Sequence, residues 1–143
     1  MAGQEQAGRQ AAGPAGHVVA VVVTYRRPAQ LEVTLRALLD QPASALSAVL
    51  VVDNASGDET GALLAAQDDP RLHVLTLERN LGGAGGFEAG MRHAMTHLAP
   101  DWIVVMDDDA RPEPGAMAAF HALDLDGVDG LAAAVRHPDG RLC

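Results

Sequence analysis

The chain has 143 residues, 48% of them apolar, a mean hydropathy of +0.06, and a formal charge of −9 from 19 acidic and 10 basic side chains. This is enough to bury the core of one domain, and the acidic balance excludes a nucleic-acid groove or electrostatic docking on anionic lipid, both of which need clustered cations. Every basic residue is arginine and the one cysteine is Cys143, which excludes a P-loop or Schiff-base lysine, an intrachain disulfide and a thiolate metal cluster.

Residues 1–16 are mostly Ala, Gly, Gln and Pro without apolar period and predict a flexible N-terminal arm ahead of a domain over 17–143. Val18 to Thr24 is a β-branched run, the pattern of a strand covered on both faces. It is too short to span a bilayer, and no signal-peptide pattern precedes it, so the chain reads as cytoplasmic. Pro28 opens a helix carrying Leu31, Leu35, Leu38 and Leu39. Val49 to Val52 predicts a second strand ending on Asp53-Asn54, with Ser56 to Glu59 as a capping box for a helix holding Leu63 and Leu64. A third strand spans Leu72 to Leu77. Arg79 to Gly83 then turn into a helix whose apolar face is Phe87, Met91, Met95 and Leu98. Trp102 to Met106 is a fourth strand running into Asp107-Asp108-Asp109. An Ala-rich helix follows Pro112-Glu113-Pro114 through Leu123, and a fifth strand is expected over Leu131 to Val135. His137-Pro138-Asp139-Gly140 reads as a turn just before the sequence stops, the pattern of a piece of a longer protein.

Strand and helix alternating at this pace imply an α/β, doubly wound, mostly parallel sheet with helices on both faces. Ligands bind such sheets beyond the carboxyl ends of the strands. If the strand order is 3-2-1-4, the polar ends Thr24-Tyr25, Asp53-Asn54 and Asp107 to Asp109 share one crevice.

Three consecutive carboxylates after a buried strand repel one another and call for a cation or hydrogen bonds. Extended backbone would turn Asp107 and Asp109 to one side and Asp108 to the other. The first and third then form a site for Mn²⁺ or Mg²⁺, ions that take oxygen ligands and complete their shell with water and substrate phosphates. A solvated turn capping the next helix is the competing reading, and for Asp108 it has equal weight. Asp53 can accept hydrogen bonds from a pyrimidine imide or a ribose hydroxyl, or can be a turn residue. Thr24 and Tyr25 would line the pocket through backbone groups and an aromatic face. The loop from Asn80 through Gly82, Gly83 and Gly86 lets backbone approach a phosphate or sugar, while Arg79 could offset diphosphate charge. Glu88 stands where a dinucleotide fingerprint needs glycine, which disfavours a nicotinamide enzyme. His93 and His97 lack a third ligand and read as helix-surface residues.

Val-Val-Val-Thr-Tyr-Arg-Arg-Pro (21 to 28), Val-Val-Asp-Asn-Ala-Ser-Gly-Asp-Glu-Thr (51 to 60), Asn-Leu-Gly-Gly-Ala-Gly-Gly-Phe (80 to 87) and Met-Asp-Asp-Asp-Ala (106 to 110), in this order, resemble family 2 glycosyltransferases with the GT-A fold. The resemblance spans His17 to about Arg136 and is greatest to the bacterial galactofuranosyltransferase and rhamnosyltransferase branch. It implies inverting transfer from a UDP- or dTDP-linked sugar to a cell-wall or surface glycan acceptor, free or lipid-linked. Asp53 would contact the base, Asp107 the ribose or metal, and Asp109 the metal. Thr24, Tyr25, Asn54, Arg79, Asn80, Gly82, Gly83 and Asp108 complete the donor-binding set. The general base and a further metal-binding histidine would lie beyond Cys143, as would any segment that brings the full-length protein to the inner face of the plasma membrane. Two alternatives are a nucleotidyltransferase, which would need glycines after the first strand where Thr24 to Pro28 stand, and a donor-binding domain without catalysis.

Overall fold

Four apolar runs form four parallel strands, β1 (Val18–Thr24), β2 (Ala48–Asp53), β3 (Leu72–Thr76) and β4 (Trp102–Asp107), in the order β3-β2-β1-β4. They are seen in a computed structural model that describes residues 11–143. Between and after them lie α1 (Pro28–Leu39), α2 (Thr60–Ala65), α3 (Gly82–His97) and α4 (Ala116–His121). The unbroken apolar runs of β1 and β2 are explained by their central position, which buries both of their faces. Val18, Ala20, Val22, Val49 and Val51 pack under α1, α2 and α4, with Leu31, Leu35, Leu38, Leu64 and Phe120 against them. Val19, Val21, Leu50 and Val52 face the other way and meet Phe87, Ala94 and Leu98 of α3. Helices thus cover both faces of the sheet, as the alternation predicts. Among the described residues no helix is long and apolar enough to cross a membrane.

Register decides where the strands end. Thr24 of β1 is paired with Asp53 of β2, and Val23 with Asp107 of β4, so the polar residues expected at three strand ends lie side by side along one rim. A loop between α2 and β3 is held to α1 by Arg71. Its guanidinium donates to the carbonyls of Leu39 (2.6 Å), Gln41 (2.8 Å) and Leu46 (3.3 Å) while pairing with Asp69 (3.0 Å).

Several local expectations are corrected. Of the expected apolar face of α3, Phe87 and Leu98 pack against the sheet beside Gly86, Gly90 and Ala94, whereas Met91 and Met95 point outward. A Cβ on Gly90 would come within 2.6 Å of Val21 Cγ1 and 2.7 Å of Val52 Cγ2, so the β-branched sheet surface admits only small residues there. No capping box forms at α2. Ser56 Oγ accepts from the Arg26 backbone N–H instead, and Asp58 Oδ1 accepts from Thr60 N–H in a local turn. The last helix stops at His121 rather than Leu123. Leu131 to Val135 form no strand: they are exposed, and the only pairing nearby is an isolated bridge between Arg136 and Leu142. Apolar, β-branched character does not make a strand unless a partner edge receives its hydrogen bonds.

Of the expected arm, residues 1–10 lie outside the described residues. Residues 11–16 are seated against the domain. Gly13 N–H donates to Ser44 O (2.8 Å) and Ala15 N–H to His121 Nδ1 (3.1 Å), leaving Nε2 of the same ring to donate to Ala45 O (2.9 Å).

Candidate functional site

The rim made by the carboxyl ends of β1, β2 and β4 carries the acidic triplet. The extended backbone stops at Asp107, and Asp108-Asp109 form a turn closed by Ala110 N–H on Asp107 O at 3.2 Å. The outcome is still exposed, buried, exposed: Asp107 and Asp109 face solvent and Asp108 is 3% accessible. Asp108 is enclosed because three elements bond to it. Thr24 Oγ1 donates to Oδ2 at 2.9 Å, Arg27 Nη1 donates to Oδ1 at 3.0 Å, and Thr34 Oγ1 of α1 donates to its backbone carbonyl at 2.6 Å.

Arg27 reaches further. Its Nη2 donates to Asp109 Oδ2 at 3.0 Å, so one guanidinium spans both carboxylates, and its pKa is raised first by the Asp109 hydrogen bond and then by the charge of Asp108. Burial pushes the Asp108 carboxyl above its ordinary range, against the lowering effects of Thr24 and Arg27. Arg27 is absent from the site residues expected from the sequence. Its place after the first strand and directly before Pro28, at the start of a helix beneath the triplet, was the available signal.

At the end of β2, Asp53 Oδ1 accepts from Ser56 N–H at 3.0 Å in a buried turn, leaving Oδ2 without a hydrogen-bond partner among the described residues. Asn54 turns to the other face of the sheet. Its Nδ2 donates to Gly82 O (3.0 Å) and its Oδ1 accepts from Leu81 N–H (2.9 Å), which fastens the start of α3 to the rim. Asn80 Oδ1 accepts from Gly82 N–H at 2.7 Å, and Gly82 takes φ 73°. The glycines divide by task. Gly86 packs against Val23, where a Cβ would approach Cγ1 to 2.7 Å, while Gly82 and Gly83 have open space around them. The start of the 16-residue α3 therefore presents bare backbone at Gly82 and Gly83 beside the rim.

Backbone strain accompanies this geometry. Arg26 (φ 51°) and Ala55 (φ 64°) are left-handed non-glycine residues, each the second residue beyond the end of its strand, β1 and β2 respectively. Arg26 is held there by Ser56, whose Oγ accepts from its N–H at 3.0 Å and whose carbonyl accepts from its Nε at 2.9 Å. Its guanidinium carbon lies 5.1 Å from the centre of the half-exposed Tyr25 ring. Arg79 is exposed beyond β3, and no partner is seen for it among the described residues. The rings of His93 and His97 lie 4.5 Å apart and tilted by 49° on α3, far along the helix from its first turn.

The rim offers carboxylate oxygens and a charged guanidinium. Among the described residues no group of three or more His, Cys, Asp or Glu side chains is arranged to hold a metal ion. Asp107 and Asp109 are exposed and offer carboxylate oxygens, the ligand type that Mg²⁺ and Mn²⁺ take together with water and phosphate oxygens.

Comparison with known proteins bears on this arrangement. Residues 19–140 match the family described as Glycosyl transferase family 2. The chain is 44% identical over 95 residues to galactofuranosyltransferase GlfT1 of Mycolicibacterium smegmatis, covering 66% of this chain and 30% of that protein. It is 38% identical over 102 residues to GlfT1 of Mycobacterium tuberculosis, covering 71% of this chain and 33% of the relative. The chain thus spans about a third of the length of these curated relatives. Among solved structures, the mannosyltransferase PcManGT from Pyrobaculum calidifontis, in complex with GDP-Man and Mn²⁺, superposes with a TM-score of 0.68 at 24% identity, covering 94% of this chain and 41% of that one. TarS 1-349 of S. aureus, in complex with UDP-GlcNAc, gives 0.66 at 23% identity, covering 78% and 31%. These two likenesses show the fold.

Proposed function

We propose, from the premise that the chain belongs to glycosyl transferase family 2, that it is the donor-binding half of an inverting transferase acting on a nucleoside-diphosphate sugar. The observation that carries this reading is the register Thr24↔Asp53 and Val23↔Asp107, which gathers the acidic turn, Asp53 and the first turn of α3 at one rim. Asp53 would bind the nucleoside through its unpartnered carboxylate oxygen. Thr24, Tyr25, Asn54, Arg79 and Asn80 would shape the pocket, and the open backbone of Gly82 and Gly83 would approach the diphosphate or sugar. Asp108 would serve as the buried anchor of the turn.

Asp107 and Asp109 would hold Mn²⁺ or Mg²⁺. When bound, that ion supplies charge for the leaving diphosphate. Inversion needs a general base to take the acceptor proton, and we place it in the part of the relatives' length that this chain does not span. This chain by itself is therefore proposed to bind donor without transferring sugar. The identity to two galactofuranosyltransferases supports UDP-galactofuranose as donor ahead of a dTDP-linked rhamnose, and a cell-wall or surface glycan as acceptor.

Calorimetry with UDP tests the reading. Binding is expected only with Mn²⁺ or Mg²⁺ present and is expected to fall at least about tenfold in Asp109→Ala, a loss usual even for residues standing behind a metal's ligands. Asp53→Ala is expected to weaken it as well. Equal UDP binding with and without metal, or in Asp109→Ala, would overturn the cation assignment. Competition between UDP-galactofuranose and dTDP-rhamnose separates the two donors.

A further inference from the structure

We propose that Arg27 is an internal counter-ion of the acidic turn, a positioning residue that occupies Asp109 when no cation is present and gives it up when one binds, while staying on Asp108. The inference rests on the proposed cation site and concerns a residue which that reading left without a role.

The two halves of the guanidinium contact are unequal. Nη1 meets an Asp108 side chain that is 4% accessible and already tied to Thr24, whereas Nη2 meets an Asp109 side chain that is 49% accessible. An ion pair in water is weak and readily exchanged, while breaking one at a buried carboxylate strands a charge. The fork is therefore built to open on the Asp109 side. Asp107 has no side-chain hydrogen bond among the described residues, so the turn contains one unengaged carboxylate and one held by a competitor cation. Arg27 is fixed at the entry to α1 by its backbone, whose carbonyl accepts from Leu31 N–H at 3.0 Å, which keeps its side chain within reach of the turn. A divalent ion on Asp109 and a guanidinium on the same carboxylate repel, so each lowers the other's occupancy.

Removing the competitor should tighten binding of the bare cation. An exposed pair is worth a factor of about five at most in an equilibrium constant, which sets the expected effect. Mn²⁺ alone is titrated into the full chain, free ion being followed by electron paramagnetic resonance, for wild type, Arg27→Gln, Arg27→Lys and Asp109→Asn. Arg27→Gln is expected to bind Mn²⁺ up to about fivefold more tightly, Arg27→Lys to stay within twofold of wild type, and Asp109→Asn to lose the site. Thermal unfolding identifies any variant that does not fold. For that case, the Arg27 guanidinium resonances of wild type are followed during a Mg²⁺ titration and are expected to shift with the same midpoint as Mg²⁺ binding.

Unchanged or weaker Mn²⁺ binding by folded Arg27→Gln, or guanidinium resonances that stay still while Mg²⁺ binds, overturns the counter-ion role and leaves the cation site standing. Absence of Mn²⁺ binding in wild type overturns both.

Discussion

Thr24 donates its hydroxyl to the Asp108 carboxylate at 2.9 Å, joining two residues 84 positions apart in the chain. The bond binds the end of β1 to the turn after β4 inside the protein, where an unmet carboxylate would be costly. Thr24→Val keeps the shape and removes the donor. A loss of about 1–3 kcal/mol is expected in denaturant unfolding, with Thr24→Ser recovering most of it.

The same carboxyl sets a pH dependence. Burial raises the Asp108 pKa above its ordinary 3.8, so the native state binds this proton more readily than the unfolded state. The stabilising contribution of the proton is full below 3.8 and is lost as pH rises through the higher native value. In Asp108→Asn this contribution no longer varies with pH, while the depressed carboxyls of Asp58, Asp69 and Asp139 act alike in both proteins. Unfolding from pH 3 upward should therefore show wild type losing stability relative to Asp108→Asn across that window. A gap that stays constant or runs the other way would refute the assignment.

Gly90 and Gly83 should respond oppositely to alanine. At Gly90 the new methyl meets Val21 and Val52, and lifting α3 from the sheet should cost about 1–3 kcal/mol. At Gly83 nothing lies within 4 Å, so alanine should stabilise α3 by up to about 1 kcal/mol. If backbone at Gly83 meets the donor, the stabler Gly83→Ala variant binds UDP less well. Melting temperatures and UDP calorimetry on the two variants check both statements.

Asn54→Ala removes the hydrogen bonds to Leu81 N–H and Gly82 O together, freeing the start of α3 from β2. A destabilisation of about 2–3 kcal/mol is expected. Hydrogen exchange should rise at Leu81 and Gly82 before it rises in the core of α3. Uniform exchange along the helix would show that Asn54 does not fasten its start.

Arg71→Ala should cost about 2–4 kcal/mol, because it leaves the carbonyls of Leu39, Gln41 and Leu46 without their charged donor. Arg71→Lys should rescue little, since a single ammonium cannot reproduce a fork that meets three carbonyls and Asp69. Chemical denaturation of both variants reads the difference.

By itself, the sequence determined the parallel α/β architecture and the four segments that meet at the rim. Runs such as Val18 to Thr24 have one stable use, burial on both faces between neighbouring strands, and polar residues at their ends mark where that burial stops. Tertiary structure decided what each side chain does there. Met91 and Met95 look like the packing face of α3 by spacing, but the helix meets β1 and β2 most closely through Gly86, Gly90 and Ala94, with Phe87 and Leu98 packed beside them. Leu131 to Val135 look like a strand and have no edge to join. Arg27 has no legible role until folding brings it beside Asp108 and Asp109, 81 and 82 positions away. Local pattern marks the central strands, whose apolar runs have no other use, while the packing face of a helix, the pairing of an edge segment, hydrogen bonds and ion pairs depend on which distant residue arrives alongside, and only the packed chain specifies that.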